Sequence, residues 1–123
     1  MAEPCKDPAI RVLMMPRDTN VHNTIFGGVI LSHIDQAGAI GARAHGCRRV
    51  VTVAMDTVEF HEPVRVGDVV SYFTEMKRKG TTSITMKICV EADRIDSGEQ
   101  VHVTSATVTY VNVDAEGRPR PIR

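Results

Sequence analysis

The sequence lacks the features that would place it in several common classes of protein. Its three cysteines, Cys5, Cys47 and Cys89, are widely spaced and odd in number, which argues against a disulfide framework. Its 15 basic and 15 acidic residues balance, which argues against a general role at nucleic acids or membrane surfaces. No charged-then-apolar leader opens the chain, so we predict a soluble, cytoplasmic protein.

Motifs of many cofactor-dependent and hydrolytic enzymes are also missing. The five histidines and three cysteines show none of the close spacings expected of zinc ligands, so we predict no metal site. Gly-x-Ser-x-Gly, P-loop and dinucleotide-binding patterns do not occur. We therefore expect no metal or redox cofactor; a Ser-His-Asp triad stays open, although no pattern indicates one.

What the sequence does contain is one stretch that predicts a helix, residues 24–46, in which a Gly-Gly pair leads into small and apolar residues. At 100° per residue, Ser32, Gln36 and Arg43 fall on one narrow polar face. Gly38 and Gly41 each cost about 1 kcal/mol relative to alanine inside a helix. Such a helix is favoured only where another surface packs closely against it, so we predict a core helix wrapped by a sheet.

Asp35 is the residue of this helix that does not fit a purely structural pattern. It lies off the polar face, among small and apolar neighbours. A carboxylate in such surroundings is costly to keep charged unless something compensates, and buried acids often mark functional sites. The alternative is a structural acid that bonds to a neighbouring chain.

From Arg48 onward the apolar period is that of strands joined by short turns, which favour antiparallel neighbours. We expect strand 50–58 to be buried on both faces, and strand 82–95 to point Ile84, Met86, Ile88, Val90 and Ala92 inward. The remaining strands are predicted at 9–15, 69–78 and 101–113.

These elements predict an α+β domain, in which one long helix packs on a curved antiparallel sheet of five strands. The length fits one domain, 1–123, and residues 1–8 and 114–123 are expected to be flexible tails. Because the sheet would have open edges, a dimer that continues the sheet is a natural way to cover them.

Several motifs occur in a characteristic order: Asp-Thr-Asn at 18–20, Ile-Phe-Gly-Gly at 25–28, Ile-Asp at 34–35, Val-Val-Thr-Val-Ala at 50–54, Phe-x-x-Pro-Val-x-x-Gly-Asp at 60–68 and Lys-Gly-Thr-Thr-Ser at 79–83. Together, over residues 10–120, they resemble the hotdog-fold acyl-CoA thioesterases, in the YciA-like and cytosolic acyl-CoA hydrolase group. The resemblance implies a hotdog fold, homodimers often assembled as trimers of dimers, and active sites between subunits. It also implies hydrolysis of acyl-CoA to free acid and CoA.

By this resemblance Asp35 matches the family's catalytic carboxylate, as general base for water or as direct nucleophile. Gly27 and Gly28 match the turn whose backbone N–H groups point at the thioester carbonyl. The unpaired N–H donors and positive dipole of a helix N-terminus suit an oxyanion hole. The alternative interpretation of the glycine pair is that it forms only a tight turn.

The loop before the helix departs from the family pattern. Relatives tend to place Gly-Asp or Gly-Asn before the Ile-Phe-Gly-Gly run, where this chain has Asn23-Thr24. Asn20 is the closer match for an asparagine that some relatives pair with the helix aspartate of another domain, and Asn23 is a second candidate. Asn20, Asn23 and Thr24 are otherwise ordinary turn formers or helix caps.

Coenzyme A carries a pyrophosphate and a 3′-phosphate, so a partly basic rim is expected around the site. Charge runs are also commonly solvated strand ends. The candidate phosphate ligands are Arg48, Arg49, Lys77, Arg78, Lys79, Arg118, Arg120 and Arg123, with hydroxyl donors from Thr81, Thr82 and Ser83.

Two rival functions remain open at this point. A hydratase or dehydratase acting on acyl thioesters needs an acid–base pair, commonly a histidine with the helix carboxylate, and His61 is the candidate histidine. A non-catalytic acyl-CoA sensor would bind CoA without turnover, but no effector domain is fused within the 123 residues.

Overall fold

The computed structural model describes residues 7–123, in which one α-helix lies against one five-stranded sheet. The sheet has the strand order β1-β3-β4-β5-β2, and every neighbouring pair is antiparallel. The predicted α+β class and the five strands are confirmed. No helix in the described residues is long and apolar enough to cross a membrane. The elements are β1 (Ile10–Leu13), a 3₁₀ turn (Pro16–Asp18), α1 (Gly27–Arg43), β2 (Val50–Asp56), β3 (Val69–Lys79), β4 (Ser83–Asp93) and β5 (Gln100–Asn112).

The core lies between α1 and the inner face of the sheet. On β4, alternate residues are buried as predicted, because successive side chains of a strand point to opposite faces. The predicted polar face of α1 is confirmed too, since Ser32, Gln36 and Arg43 are exposed while Ile34 and Ala37 are buried. The inward residues of β4 are Ile84, Met86, Ile88, Val90 and Ala92.

The prediction that β2 is buried on both faces is wrong for the single chain. Val51 and Val53 are 46% and 56% exposed. Among the described residues β2 pairs only with β5 and therefore forms one edge of the sheet. An apolar run indicates that a strand is buried in the functional protein, but it does not indicate whether the residues that bury it belong to the same chain. The edge of β2 is thus open to pairing with another strand.

Residues 114–123, which we expected to be a flexible tail, fold back along the sheet. Asp114 Oδ1 accepts hydrogen bonds from the N–H groups of Glu116 and Arg118, both at 2.9 Å, and so closes a turn. The returning segment then pairs with the sheet, since Ile122 N donates to the Thr81 carbonyl at 2.8 Å. The side chain of Ile122 packs against the core. Of the other expected tail, residues 1–6 lie outside the described residues.

Helix α1 lies close against the sheet at its two interior glycines. A Cβ atom at Gly38 would overlap the ring and hydroxyl of Tyr110, and one at Gly41 would lie 2.5 Å from Thr74 Oγ1. The predicted close packing of α1 against another surface is therefore confirmed. The low helix propensity of glycine is offset here by contacts that no larger residue allows.

We predict that Gly38→Ala lowers the melting temperature. In an ordinary helix the same change stabilises by about 1 kcal/mol. Here the added methyl group forces Tyr110 or the helix to move, and overpacking of this kind costs about 1–3 kcal/mol. Thermal unfolding with Gln36→Ala as an exposed control on the same helix measures the effect. A Gly38→Ala protein that melts at or above the wild-type temperature would contradict the contact.

Candidate active site

The Gly27–Gly28 pair begins α1, as the sequence predicts. The preceding residue, Phe26, is the N-cap, has extended backbone angles (φ −60°, ψ 131°) and makes no side-chain capping bond. Within residues 7–123, the backbone N–H groups of Gly27 and Gly28 donate to no protein acceptor. Two donors at the positive end of a helix dipole are therefore available to a ligand.

A cleft of about 340 Å³ opens beside this helix start. It is lined by Thr24, Ile25, Gly27 and Ile30 on one side and by residues 60–64 on the other. A Cβ atom at Gly27 would lie 3.8 Å from the Phe60 ring, an ordinary contact, whereas one at Gly28 would lie 2.6 Å from the Phe26 ring. Position 27 thus has room for a side chain, whereas a side chain at position 28 requires the exposed Phe26 ring to move.

Asp35 is held by two side chains that face it from the sheet. Thr52 Oγ1 donates a hydrogen bond to Asp35 Oδ1 at 2.6 Å, and the Tyr110 hydroxyl donates to the Asp35 backbone carbonyl, also at 2.6 Å. Thr52 on β2 and Tyr110 on β5 are direct cross-strand partners, so their side chains point to the same face of the sheet. The register of the β2–β5 pair therefore positions both the carboxylate and the backbone carbonyl of Asp35.

The surroundings of Asp35 differ from those expected from its helix neighbours alone. Its side chain is only partly buried in the single chain. The reason is its position beside β2, whose exposed residues include its partner Thr52. Thr52 and Tyr110 were not predicted as site residues; the available signal was one polar residue in the otherwise apolar Val50–Ala54 motif.

The loop residue Asn20 organises the turn that leads into α1. Asn20 Oδ1 accepts hydrogen bonds from His22 N at 2.8 Å and Thr24 N at 3.2 Å, and Asn20 Nδ2 donates to Thr24 Oγ1 at 3.0 Å. Asn23 is exposed and takes the left-handed conformation, with φ +64°. The structure thus shows turn roles for Asn20 and Asn23, while Thr24 also lines the cleft; their catalytic roles stay predictions.

Several of the predicted phosphate ligands meet at the opposite end of α1. Arg48 and Arg120 line a pocket of about 440 Å³ together with Arg43 and Arg123, and no aspartate or glutamate side chain lines it. Arg49 lines an adjoining pocket with Arg43 and Arg48. Arg43 was predicted only to lie on the polar helix face, and its position in the last turn of α1 was the signal for a role beside Arg48.

The other predicted basic and hydroxyl residues do not line this arginine pocket. Lys79 instead holds the returning chain, because its Nζ donates to the backbone oxygens of His45 and Arg123, each at 3.3 Å. Lys77, Arg78, Thr81 and Arg118 are exposed, and Thr82 and Ser83 are partly buried at the β3–β4 turn. In the described residues no cluster of three or more His, Cys, Asp or Glu side chains is arranged to hold a metal ion.

Burial raises the pKa of the Tyr110 hydroxyl well above its ordinary value, and the negative charge of Asp35 raises it further. The pKa of Tyr72 is raised mainly by burial and secondly by the charge of Asp18. Both hydroxyls therefore stay protonated through the neutral range. For Tyr110 this keeps the donor that holds the Asp35 carbonyl.

Comparison with known proteins agrees with this architecture. A hexameric hotdog-fold thioesterase of Campylobacter jejuni superposes with a TM-score of 0.91 at 47% identity, covering 94% of this chain and 90% of that one. A hexameric broad-specificity acyl-coenzyme A thioesterase, solved as an aspartate-to-alanine variant, superposes with a TM-score of 0.91 at 40% identity, covering 97% and 88%. The acyl-CoA thioester hydrolase YciA of Escherichia coli strain K12 is 44% identical over 97% of this chain and 92% of its own length.

The helix, the curled antiparallel sheet and these neighbours define the hotdog fold, as the sequence motifs imply. The chain belongs to the thioesterase superfamily, whose family model matches residues 22–99.

The two tyrosines predict a loss of stability at alkaline pH. Their pKa values are raised in the folded state, so their contribution is fully present below pH ~10, where the unfolded hydroxyls begin to ionise. Above that pH the free energy of unfolding should fall by up to about 2.7 kcal/mol per pH unit. Urea unfolding between pH 9 and 11.5 measures the slope. Tyr72→Phe should remove about half of the tyrosine contribution, and an unchanged slope in that variant would contradict the assignment.

Proposed function

We propose that this chain hydrolyses acyl-CoA thioesters to free carboxylic acids and CoA, with Asp35 as the catalytic carboxylate. The observation that carries the proposal is the environment of Asp35. Its carboxylate accepts one hydrogen bond from a neutral hydroxyl, and in the described residues no Lys, Arg or His forms a salt bridge with it. An uncompensated carboxylate of this kind is available to a water molecule or to a thioester carbon.

In the proposed reaction the carbonyl oxygen of the thioester lies against the N–H groups of Gly27 and Gly28. In comparable sites one such donor lowers the barrier by about 2.7–4 kcal/mol as negative charge develops on the oxygen. Asp35 either takes a proton from the attacking water or attacks the carbonyl carbon itself. In both routes the carbon–sulfur bond breaks, CoA leaves as the thiol, and water supplies the second oxygen of the acid.

We further propose that each site is shared between two copies of the chain. Gly27 and Asp35 lie eight residues apart on one helix, a rise of about 12 Å. One thioester group is too small to contact both in the same chain, so the donors of one copy would act with the carboxylate of the other. The open edge of β2 beside Asp35 supports a dimer that continues the sheet. The hexameric assembly of the similar thioesterases supports a trimer of such dimers.

The arginine pocket is our candidate for the CoA phosphates. Arg43, Arg48, Arg120 and Arg123 supply several guanidinium groups, and no aspartate or glutamate side chain lines the pocket, an arrangement suited to phosphate. Arg43 lies about 12 Å beyond Asp35 along the helix axis. The extended pantetheine arm of CoA spans such a distance. The segment that carries Arg120 and Arg123 is hydrogen-bonded to the sheet, so the backbone positions of these two arginines are fixed.

The hydratase alternative requires a histidine beside the helix carboxylate. His61 lines the cleft at the helix start, but its ring stacks on His102 with 5.7 Å between ring centroids. Asp35 bonds to Thr52 instead. No observation on the described residues favours this alternative or the non-catalytic sensor over hydrolysis. The cytoplasmic location stays a prediction.

We expect Asp35→Asn to lower kcat for acyl-CoA hydrolysis by roughly 10²–10⁴-fold, because the change removes the base or nucleophile and keeps the shape. Thiol release followed with a thiol-reactive dye, over short to long acyl chains, measures the loss. Ser32→Ala, exposed on the same helix, is the control. If folded Asp35→Asn keeps wild-type turnover, the catalytic role lies elsewhere. If the wild type shows no thiol release but an enoyl absorbance change, it is a hydratase.

The arginine pocket predicts a substrate-dependent change in KM. The double variant Arg48→Ala/Arg120→Ala should raise the KM for acyl-CoA roughly tenfold or more, since it removes charge-assisted contacts to phosphate. The KM for an acyl-pantetheine thioester, which lacks the nucleotide phosphates, should stay unchanged. Lys87→Ala, on the outer face of the sheet, controls for loss of positive charge. Equal effects on both substrates would place the phosphates elsewhere.

A further inference from the structure

Arg94 and Asp68 form a buried ion pair at the base of the segment that walls the cleft. Asp68 is 1% exposed and Arg94 is 8% exposed. Arg94 Nη1 lies 2.6 Å from Asp68 Oδ2 and also donates to the Pro63 carbonyl at 2.8 Å. Asp68 Oδ2 also accepts a hydrogen bond from Arg65 N at 2.9 Å. One guanidinium group therefore holds both ends of residues 63–68.

This segment is connected directly to the start of α1. The Val64 carbonyl, next to Pro63, accepts a hydrogen bond from Ile25 N at 2.7 Å. Both Val64 and Ile25 are buried. Ile25 lies two residues before Gly27, so the contacts run from Arg94 through Pro63 and Val64 to the helix start. The same residues form the two walls of the cleft.

The pair is not what stability alone would select. Removing two charges from water is costly, and well-packed apolar residues at such positions are often as stable or more stable. A planar guanidinium that bridges a carboxylate and a carbonyl instead fixes geometry, because its donors have fixed directions. A role in placing the cleft wall explains the cost.

We propose that Arg94 is a positioning residue for hydrolysis: through Pro63 and Val64 it sets where the N–H groups of Gly27 and Gly28 meet the substrate carbonyl. This inference rests on the proposed function of those two donors. It does not involve the arginine pocket, which lies at the other end of α1. Loss of Arg94 should therefore act on the chemical step and leave CoA binding intact.

The test compares wild type, Arg94→Lys and Arg94→Met as intact oligomers. We expect Arg94→Met to lower kcat about 10- to 100-fold, the effect of a misplacement of about 1 Å, with KM changed less than threefold. Arg94→Lys keeps the charge without the planar fork and should recover part of kcat. Should Arg94→Met fail to fold, Arg94→Lys alone must still lower kcat at unchanged KM.

Two controls separate positioning from stability. Ile88→Val and Ile88→Ala lower the stability of the core on β4, the strand that ends just before Arg94. The one whose melting temperature matches that of Arg94→Lys should keep wild-type kcat. Amide hydrogen exchange should be faster in residues 24–28 and 60–68 of both Arg94 variants, but not in the Ile88 variants. Unchanged exchange in residues 24–28, or an equal loss of kcat in the Ile88 control, would overturn the proposal. Failure of the wild type to hydrolyse any acyl-CoA would instead refute the proposed function, while the exchange result would still decide the linkage from Arg94 to the helix start.

Discussion

The close approach of α1 to β5 at Gly38 is the contact on which the other features depend. Because Gly38 has no side chain, the Tyr110 ring packs directly on the helix, and its hydroxyl reaches the Asp35 carbonyl at 2.6 Å. The same strand pair presents Thr52 to the Asp35 carboxylate. Packing of the core and placement of the candidate catalytic group are thus one arrangement, set by a glycine and a strand register.

The single chain leaves large apolar side chains exposed on the edge strand β2 and beside the start of α1. Val51 and Val53 on β2 are exposed, as are Phe26 and Phe60 beside the helix start. Large exposed apolar side chains near an unpaired strand edge mark an interaction surface. In the proposed dimer, a second copy of the chain would cover these side chains and bring its own helix start near Asp35. Assembly and completion of the site would then be the same event.

Much of this architecture could be predicted from local patterns in the sequence. The Gly27–Gly28 start of α1, the polar face of α1 and the alternation of β4 follow from short-range periodicity, which the backbone obeys directly. The exposure of β2 could not be predicted, because apolar composition does not tell which chain covers a strand.

The remaining differences concern contacts between residues distant in sequence. The return of residues 114–123 depends on a turn at Asp114 and on pairing with Thr81, which composition does not reveal. Thr52 and Tyr110 became site residues only once the β2–β5 register was known. Arg94 was not predicted, because its partner Asp68 precedes it by 26 residues in the sequence, with β3 and β4 between them.

The most direct test of the central contact is a double-mutant cycle on stability with Gly38→Ala and Tyr110→Phe. Phenylalanine lacks the hydroxyl that the added methyl group would meet, and its ring is no longer held by the Asp35 carbonyl. The account predicts that Gly38→Ala costs less in the Tyr110→Phe background, with a coupling free energy of about 0.5–3 kcal/mol. Two substitutions that add within about 0.3 kcal/mol would show that Gly38 and Tyr110 do not constrain each other, and would contradict it.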